Sequence, residues 1–266
     1  MDVAKVTAKN LKKPCIEIPT TAGTGSEVTN IAVFDDQEQG LKIGILSNYN
    51  FARVAFIDPT LTYGCPPKVT AASGMDALIH AVEGYTGNKA TTFSDAMALE
   101  AMRLITGSLR RAVKNGADKE ARNQMSEGAL FGGMAFMNSG VTAVHALAFP
   151  LGSQFHVPHG MANAVLLPYV MECNLSANLS RFATVARMLG VATEGLSDQE
   201  AAEKGLEAAK SLSADVGIPT HLRELGVPKE ALEGLASATM NVTRLLANNP
   251  KPLTLDDVRK IWENAW

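Results

Sequence analysis

The sequence predicts a mainly α fold: an all-helical domain over residues 66–266, preceded by a partial α/β domain over residues 1–65. Three observations carry that expectation. Before Pro59 the apolar residues gather in short, partly β-branched runs bounded by Gly, Asn, Asp and Pro, the pattern of strands. From about Pro66 onward they recur at spacings of three and four, the period of helices. The 44 residues from Gly128 to Met171 contain no Asp, Glu, Lys or Arg, as suits the interior of a folded helical body.

Taken in order, Asp2–Lys9 reads as a short helix. Cys15–Pro19, Ile31–Phe34, Leu41–Ile45 and Val54–Ile57 read as strands, too few for a complete sheet domain. Leu99, Met102, Ile105, Leu109 and Val113 share one helical face behind an N-cap at Ser94. Ser197 and Glu200 form a capping box ahead of Ala202, Leu206, Ala209, Leu212 and Val216, and Gly217 and Pro219 end that helix. Pro228 suits the first turn of a helix over Lys229–Met240, and Thr254 with Asp257 opens another that reaches Trp266. There is no internal repeat.

Composition narrows the function. Of 266 residues, 46% are hydrophobic and 19% charged, ample for a core. With 24 basic against 27 acidic residues the net charge is −3, which excludes a strongly basic nucleic-acid binder and an acidic solvating tail. Three scattered cysteines make neither a disulfide framework nor a cysteine zinc site, and point to a reducing, cytoplasmic setting. The N-terminus has no apolar core of a secretory signal. The uncharged stretch is broken by Gly132, Gly133, Asn138, Gly140, Pro150 and Pro158, so a membrane span is not expected.

Five histidines are the most informative feature. His80 follows Asp76 by four residues in SGMDALIHAVEGY, which puts both on one helical face. His145 opens HALAFPLGSQFHVPHG, and His159 falls fourteen residues later. One buried histidine is most simply satisfied by a backbone carbonyl. Four potential ligands in uncharged surroundings are better explained by a single divalent metal, and one carboxylate with three imidazoles suits Fe2+ or Zn2+. Glu83, seven residues after Asp76, reads either as support for that site or as a solvated surface group. The second feature is the loop Pro19-Thr20-Thr21-Ala22-Gly23-Thr24-Gly25-Ser26-Glu27-Val28. Its small residues and hydroxyls suit a phosphate, but as a dinucleotide fingerprint it lacks the third glycine; a plain strand-to-helix turn is the alternative.

PTTAGTGSEVT, FIDPTLTYGCPP, SGMDALIHAVEGY and HALAFPLGSQFHVPHGMANAVLLPYVM, in this order, resemble the iron-containing (group III) alcohol dehydrogenases. That family includes lactaldehyde reductases, 1,3-propanediol dehydrogenases and butanol dehydrogenases. The resemblance runs to Trp266 and implies a nucleotide-binding α/β domain followed by a dehydroquinate synthase-like helical domain. It implies metal ligands at Asp76, His80, His145 and His159. It also implies NAD or NADP contacts at Thr20, Thr21, Thr24, Ser26, Lys42 and Leu61. The implied reaction is hydride transfer between NAD(P) and a small primary alcohol, diol or aldehyde, with a metal acting as Lewis acid, in a homodimer that engages neither nucleic acid nor membrane.

Two departures qualify the resemblance. Relatives carry a GGGS loop ahead of a helix that begins like MDVAK, where this sequence opens. Part of the pyrophosphate grip, and with it turnover, is therefore expected to be impaired. Many relatives also have a histidine four residues after the third ligand, where this chain has Phe149. His156 is the substitute proton relay, or else a cleft-wall histidine. Phe149, Phe155 and Met161 are expected to line the site, and Phe136 and Met137 to be ordinary core. A non-catalytic helical metal-binding or interaction remnant is the alternative from another class; a related polyol dehydrogenase or a lyase is the alternative within the superfamily.

Overall fold

The computed structural model describes residues 13–36 and 41–266; the helix expected over Asp2–Lys9 lies outside the described residues. Strands β1 (Ile16–Glu17), β2 (Ile31–Asp36), β3 (Leu41–Leu46) and β4 (Val54–Ala55) form at the four places where β-branched runs occur. β1 pairs with β4 in parallel, and β2 pairs with β3 antiparallel, Ile31 opposite Leu46. Neither two-stranded sheet covers its apolar residues. Ile16, Ile18, Val33, Phe34, Val54 and Phe56 stay 46–62% exposed.

Helices α1 (Pro67–Thr86), α2 (Thr92–Lys114), α3 (Lys119–Ser139), α4 (Ala143–Phe155) and α5 (His159–Asn174) build the centre. Around it stand α6 (Leu179–Met188), α7 (Asp198–Asp215), α8 (Leu232–Met240), the single turn α9 (Thr243–Leu246) and α10 (Leu255–Ala265). α1 is the axis. From Gly74 to Thr86 every residue is buried, and the helix packs on α2, α3 and α5. A helix buried on every side must carry its polar groups into partnered positions, and these are the groups of interest. α4 lies on α5 and α8, and α10 packs beneath α5 and α8. One core joins Met75, Ile79, Met102, Leu147, Leu166 and Trp262.

The capping boxes expected at Ser197–Glu200 and Thr254–Asp257 are formed. α2 begins three residues earlier than expected. Thr91 is its N-cap and Ser94 the reciprocal N3 partner, because Thr91 has the extended backbone a cap requires and its own N–H needs the Ser94 hydroxyl. After Pro228 the chain makes one 3-10 turn before α8 starts at Leu232. No single helix among the described residues is long and apolar enough to cross a membrane; α3 and α4 reach that composition only as a pair bent by 104°.

Candidate metal centre and hydroxyl loop

Helix α1 presents Asp76, His80 and Glu83 on one face, Asp76 toward α5, His80 toward α3 and Glu83 toward α4. His145 comes from the first turn of α4, and His159 is the first residue of α5. Gly160 makes the arrangement possible. A Cβ there would stand 2.5 Å from the Ala72 carbonyl oxygen, so only glycine lets α5 begin against the backbone of α1. Asp76 Oδ1 then lies 3.9 Å from His145 Nε2 and 3.8 Å from His159 Nε2. The ligand atoms of Asp76, His145 and His159 all fall within 4.8 Å of one another. His80 adjoins this trio through His145, Nε2 to Nε2 at 3.0 Å. Asp76, His80 and His145 are buried; the His159 side chain, 39% exposed, is the open side of the cluster.

Glu83 is a buried part of the site and not a surface group. Its Oε1 accepts from the Thr142 hydroxyl at 2.5 Å and from the Val144 amide at 2.8 Å, and its Oε2 meets His145 Nδ1 at 2.5 Å. A carboxylate there requires the proton on Nδ1, which leaves Nε2 of His145 turned toward Asp76 and His159. Phe136, expected as plain core, stacks on the His80 ring at 4.3 Å between centroids. Phe149 lies 6.4 Å from the His159 ring, and Met161 is buried nearby in sequence.

The electrostatics pull the buried groups in opposite directions. Burial takes the His80 imidazole down to about 4, with Asp76 pulling the other way. Burial also opposes charge on Asp76, but the surrounding histidines and Asn163 carry its pKa below the ordinary value. At His145 burial is outweighed by the Glu83 carboxylate, which raises its pKa. Because two nitrogens at 3.0 Å need a hydrogen between them and the His145 proton sits on Nδ1 against Glu83, His80 carries the proton on Nε2 here, and a cation would displace it. No lysine or arginine among the described residues pairs with Asp76 or Glu83. A carboxylate oxygen and imidazole nitrogens turned toward one point, without a cationic side chain, fit a first-row divalent ion such as Fe2+ or Zn2+.

The loop after β1 is pinned by its glycines. Gly25 is left-handed at φ 59, and a Cβ on it would meet Gly133 of α3 at 2.5 Å. Gly23, Gly25 and Glu27 are buried, while Thr20, Thr24 and Ser26 face outward and Thr21 is half-buried. The loop runs into a single 3-10 turn, Ser26–Val28, and then β2, so it is not the start of a helix. The Ser26 amide donates to Thr24 Oγ1 at 3.2 Å, and the Cys65 thiol to the Thr20 carbonyl at 3.4 Å. Leu61 is exposed on the turn Pro59–Thr62. Lys42 belongs to β3, and its side chain lies outside the described residues. Outward hydroxyls on a pinned loop suit the phosphates and ribose of a dinucleotide. Glu27 has an Oε2 without a partner among the described residues, and burial pushes its pKa up.

His156 is not brought into the cluster. It caps α4 in the left-handed region at φ 54, exposed and without a hydrogen bond among the described residues. Sequence reasoning also missed Asn163, Thr142 and the stacked face of Phe136. Asn163 is a fully buried amide in an apolar run, four residues after His159, and that spacing was its available signal.

Residues 70–266 match the model of the Fe-containing alcohol dehydrogenase family, C-terminal, and residues 1–59 match that of iron-containing alcohol dehydrogenase. Long-chain-alcohol dehydrogenase 1 of Geobacillus thermodenitrificans is 49% identical over 253 residues, covering 95% of this chain and 64% of the relative. The crystal structure of a 1,3-propanediol oxidoreductase superposes with a TM-score of 0.95 at 42% identity, over 98% of this chain and 68% of that one. A sulfoacetaldehyde reductase from Bifidobacterium kashiwanohense in complex with NAD+ superposes with a TM-score of 0.85 at 32% identity, over 98% and 67%. The chain thus spans less than two thirds of the first of these relatives and about two thirds of the others.

Proposed function

Because the chain belongs to the iron-containing alcohol dehydrogenase family, we propose that it takes part in NAD(P)-dependent interconversion of a small primary alcohol or diol and its aldehyde at Asp76, His80, His145 and His159. The observation that carries this reading is the meeting of three separate helices' ligand atoms within 4.8 Å, at a point where no lysine or arginine among the described residues pairs with the carboxylate. Fe2+ or Zn2+ on these four residues would polarise the substrate oxygen, and NAD or NADP would take or give the hydride.

The chain's own residues do the rest. Asp76 contributes the negative charge, and the imidazoles bind as neutral donors. Glu83 fixes the His145 tautomer through Nδ1. Phe136, Phe155 and Met161 exclude water from the buried side, which strengthens every charge interaction there. His159, on the open side, marks where substrate enters. Thr20, Thr21, Thr24 and Ser26, with Lys42 and Leu61, hold the dinucleotide, and His156 exchanges the proton with solvent. In this reading residues 1–65 are the nucleotide-binding part and 66–266 the metal-binding part of a cytoplasmic homodimer; the small exposed sheets favour association through strand edges.

Metal analysis of the purified chain, NADH titration and reduction of a short aldehyde test this together. One tightly held Fe2+ or Zn2+ per chain, lost in His159→Ala without unfolding, is expected; a chain with no stoichiometric metal overturns the reading. A monomer by light scattering at micromolar concentration overturns the dimer. Phe149, standing where many relatives have a histidine, favours a second reading, a helical metal-binding or interaction remnant without catalysis. Stoichiometric metal with no dinucleotide binding and no turnover selects it.

A further inference from the structure

Asn163 stands where its amide meets the whole ligand trio. Its Nδ2 is 2.7 Å from Asp76 Oδ1, 3.1 Å from His159 Nε2 and 3.2 Å from His145 Nε2. The residue is fully buried, and its Oδ1 has no hydrogen-bond partner among the described residues. The opposite orientation of the amide would set Oδ1 against the Asp76 carboxylate and against His145 Nε2, whose ring proton is held on Nδ1 by Glu83. The side chain therefore leaves one acceptor unpaired in order to aim both hydrogens at a group of lone pairs, an arrangement stable only where those lone pairs need a donor more than Oδ1 does.

We propose that Asn163 is a positioning residue that stands in for the cation: its two hydrogens hold Asp76 and His159 together in the metal-free protein, and a metal must displace them. The proposal rests on the metal reading above. The amide hydrogens and a cation compete for the same lone pairs of Asp76 and His159. Removing the amide therefore weakens the metal-free state more than the loaded one, and by mass action metal binding tightens. The void left by truncation weakens both states alike and cancels from the affinity. A residue that merely supported the loaded site would have the opposite effect.

The test is Zn2+ affinity by chelator competition, with the melting temperature read in the presence and absence of Zn2+, for the wild-type full chain, Asn163→Ala and Asn163→Ser. Asn163→Ala is expected to bind Zn2+ about ten-fold more tightly, a change on the order of 1.4 kcal/mol, with most of its loss in melting temperature confined to the metal-free form. Asn163→Ser, which restores one donor, should fall between. An Asn163→Ala chain that folds only with Zn2+ supports the proposal, and one that fails to fold in either state overturns it. If the wild type binds Zn2+ and Asn163→Ala binds it equally or more weakly, this proposal fails alone. If the wild type binds none, the metal reading fails and takes this proposal with it.

Discussion

The helical body and the strand segment ahead of it manage apolar surface in opposite ways. In the body, α1 is enclosed by α2, α3 and α5, and its polar residues are forced into partnered positions. In the strand segment the large hydrophobics point outward. Among the described residues, every large hydrophobic that is 40% exposed or more falls between Ile16 and Phe93, with none beyond. The metal candidates are thus assembled entirely by contacts inside one core. The hydroxyl loop depends on two close approaches, Gly25 on Gly133 and Gly23 on Ser73, and on strands whose apolar face is uncovered. The body should register small internal changes sharply, and the strand segment should register them weakly.

Changing Gly160 to Ala should break the body most. Its Cβ would meet a backbone oxygen that cannot swing aside, so α5 must move off α1 and carry His159 from Asp76. A loss of about 2–3 kcal/mol and of stoichiometric metal is expected in denaturant unfolding and metal analysis. Unchanged metal content would show that the α1–α5 approach does not set the site.

Glu83→Gln comes next. It leaves shape intact but removes the carboxylate that orients His145, and metal affinity should fall about ten- to hundred-fold. Affinity within a factor of two of the wild type would remove Glu83 from the site.

The strand side offers a smaller, pH-dependent effect. Burial raises the Glu27 pKa, so the folded state holds that proton more tightly than the unfolded one. Stability from this group is full below the unfolded value near 4.5 and is lost as pH climbs through the folded pKa. Glu27→Gln should therefore match the wild type at pH 4 and exceed it in stability at pH 7. Equal melting differences at both pH values would contradict this.

His156→Asn should have the smallest effect on stability, a gain of about 0.5 kcal/mol, since asparagine tolerates the left-handed region well. Its value lies in the pH profile of turnover. A profile identical to the wild type would take the proton-exchange role away from His156.

Local chemistry explains what the sequence made legible. Caps at Ser197 and Thr254, the period change near Pro66 and the i,i+4 pair Asp76–His80 are written within one turn of chain. The four strands were visible from their β-branched runs and their punctuation. Thr91 was missed as a cap because Ser94, equally suited by type, sits one turn inside, and only the backbone distinguishes them. Asn163 and the stacked Phe136 stayed hidden for another reason. Both acquire their roles from where α5 and α3 cross α1, and nothing in the immediate neighbourhood of either residue encodes a crossing. Glu83 lay between these cases: its spacing suggested a role, but its partners Thr142 and Val144 arrive from 59 and 61 residues away.

Helix α3 is a wall shared by both halves. Gly133 seats the hydroxyl loop, Gly132 abuts α1 beside His80, and Phe136, one turn on, lies flat on the His80 ring. Within a single rigid helix these three contacts cannot shift independently. A dinucleotide pressing the loop toward α3 would act, through the same few ångströms of backbone, on the ring beside the candidate metal ligands. If occupancy of the loop changes the metal's affinity by some factor, then metal must change the affinity of the loop for its ligand by that same factor, and the two measurements form a closed cycle.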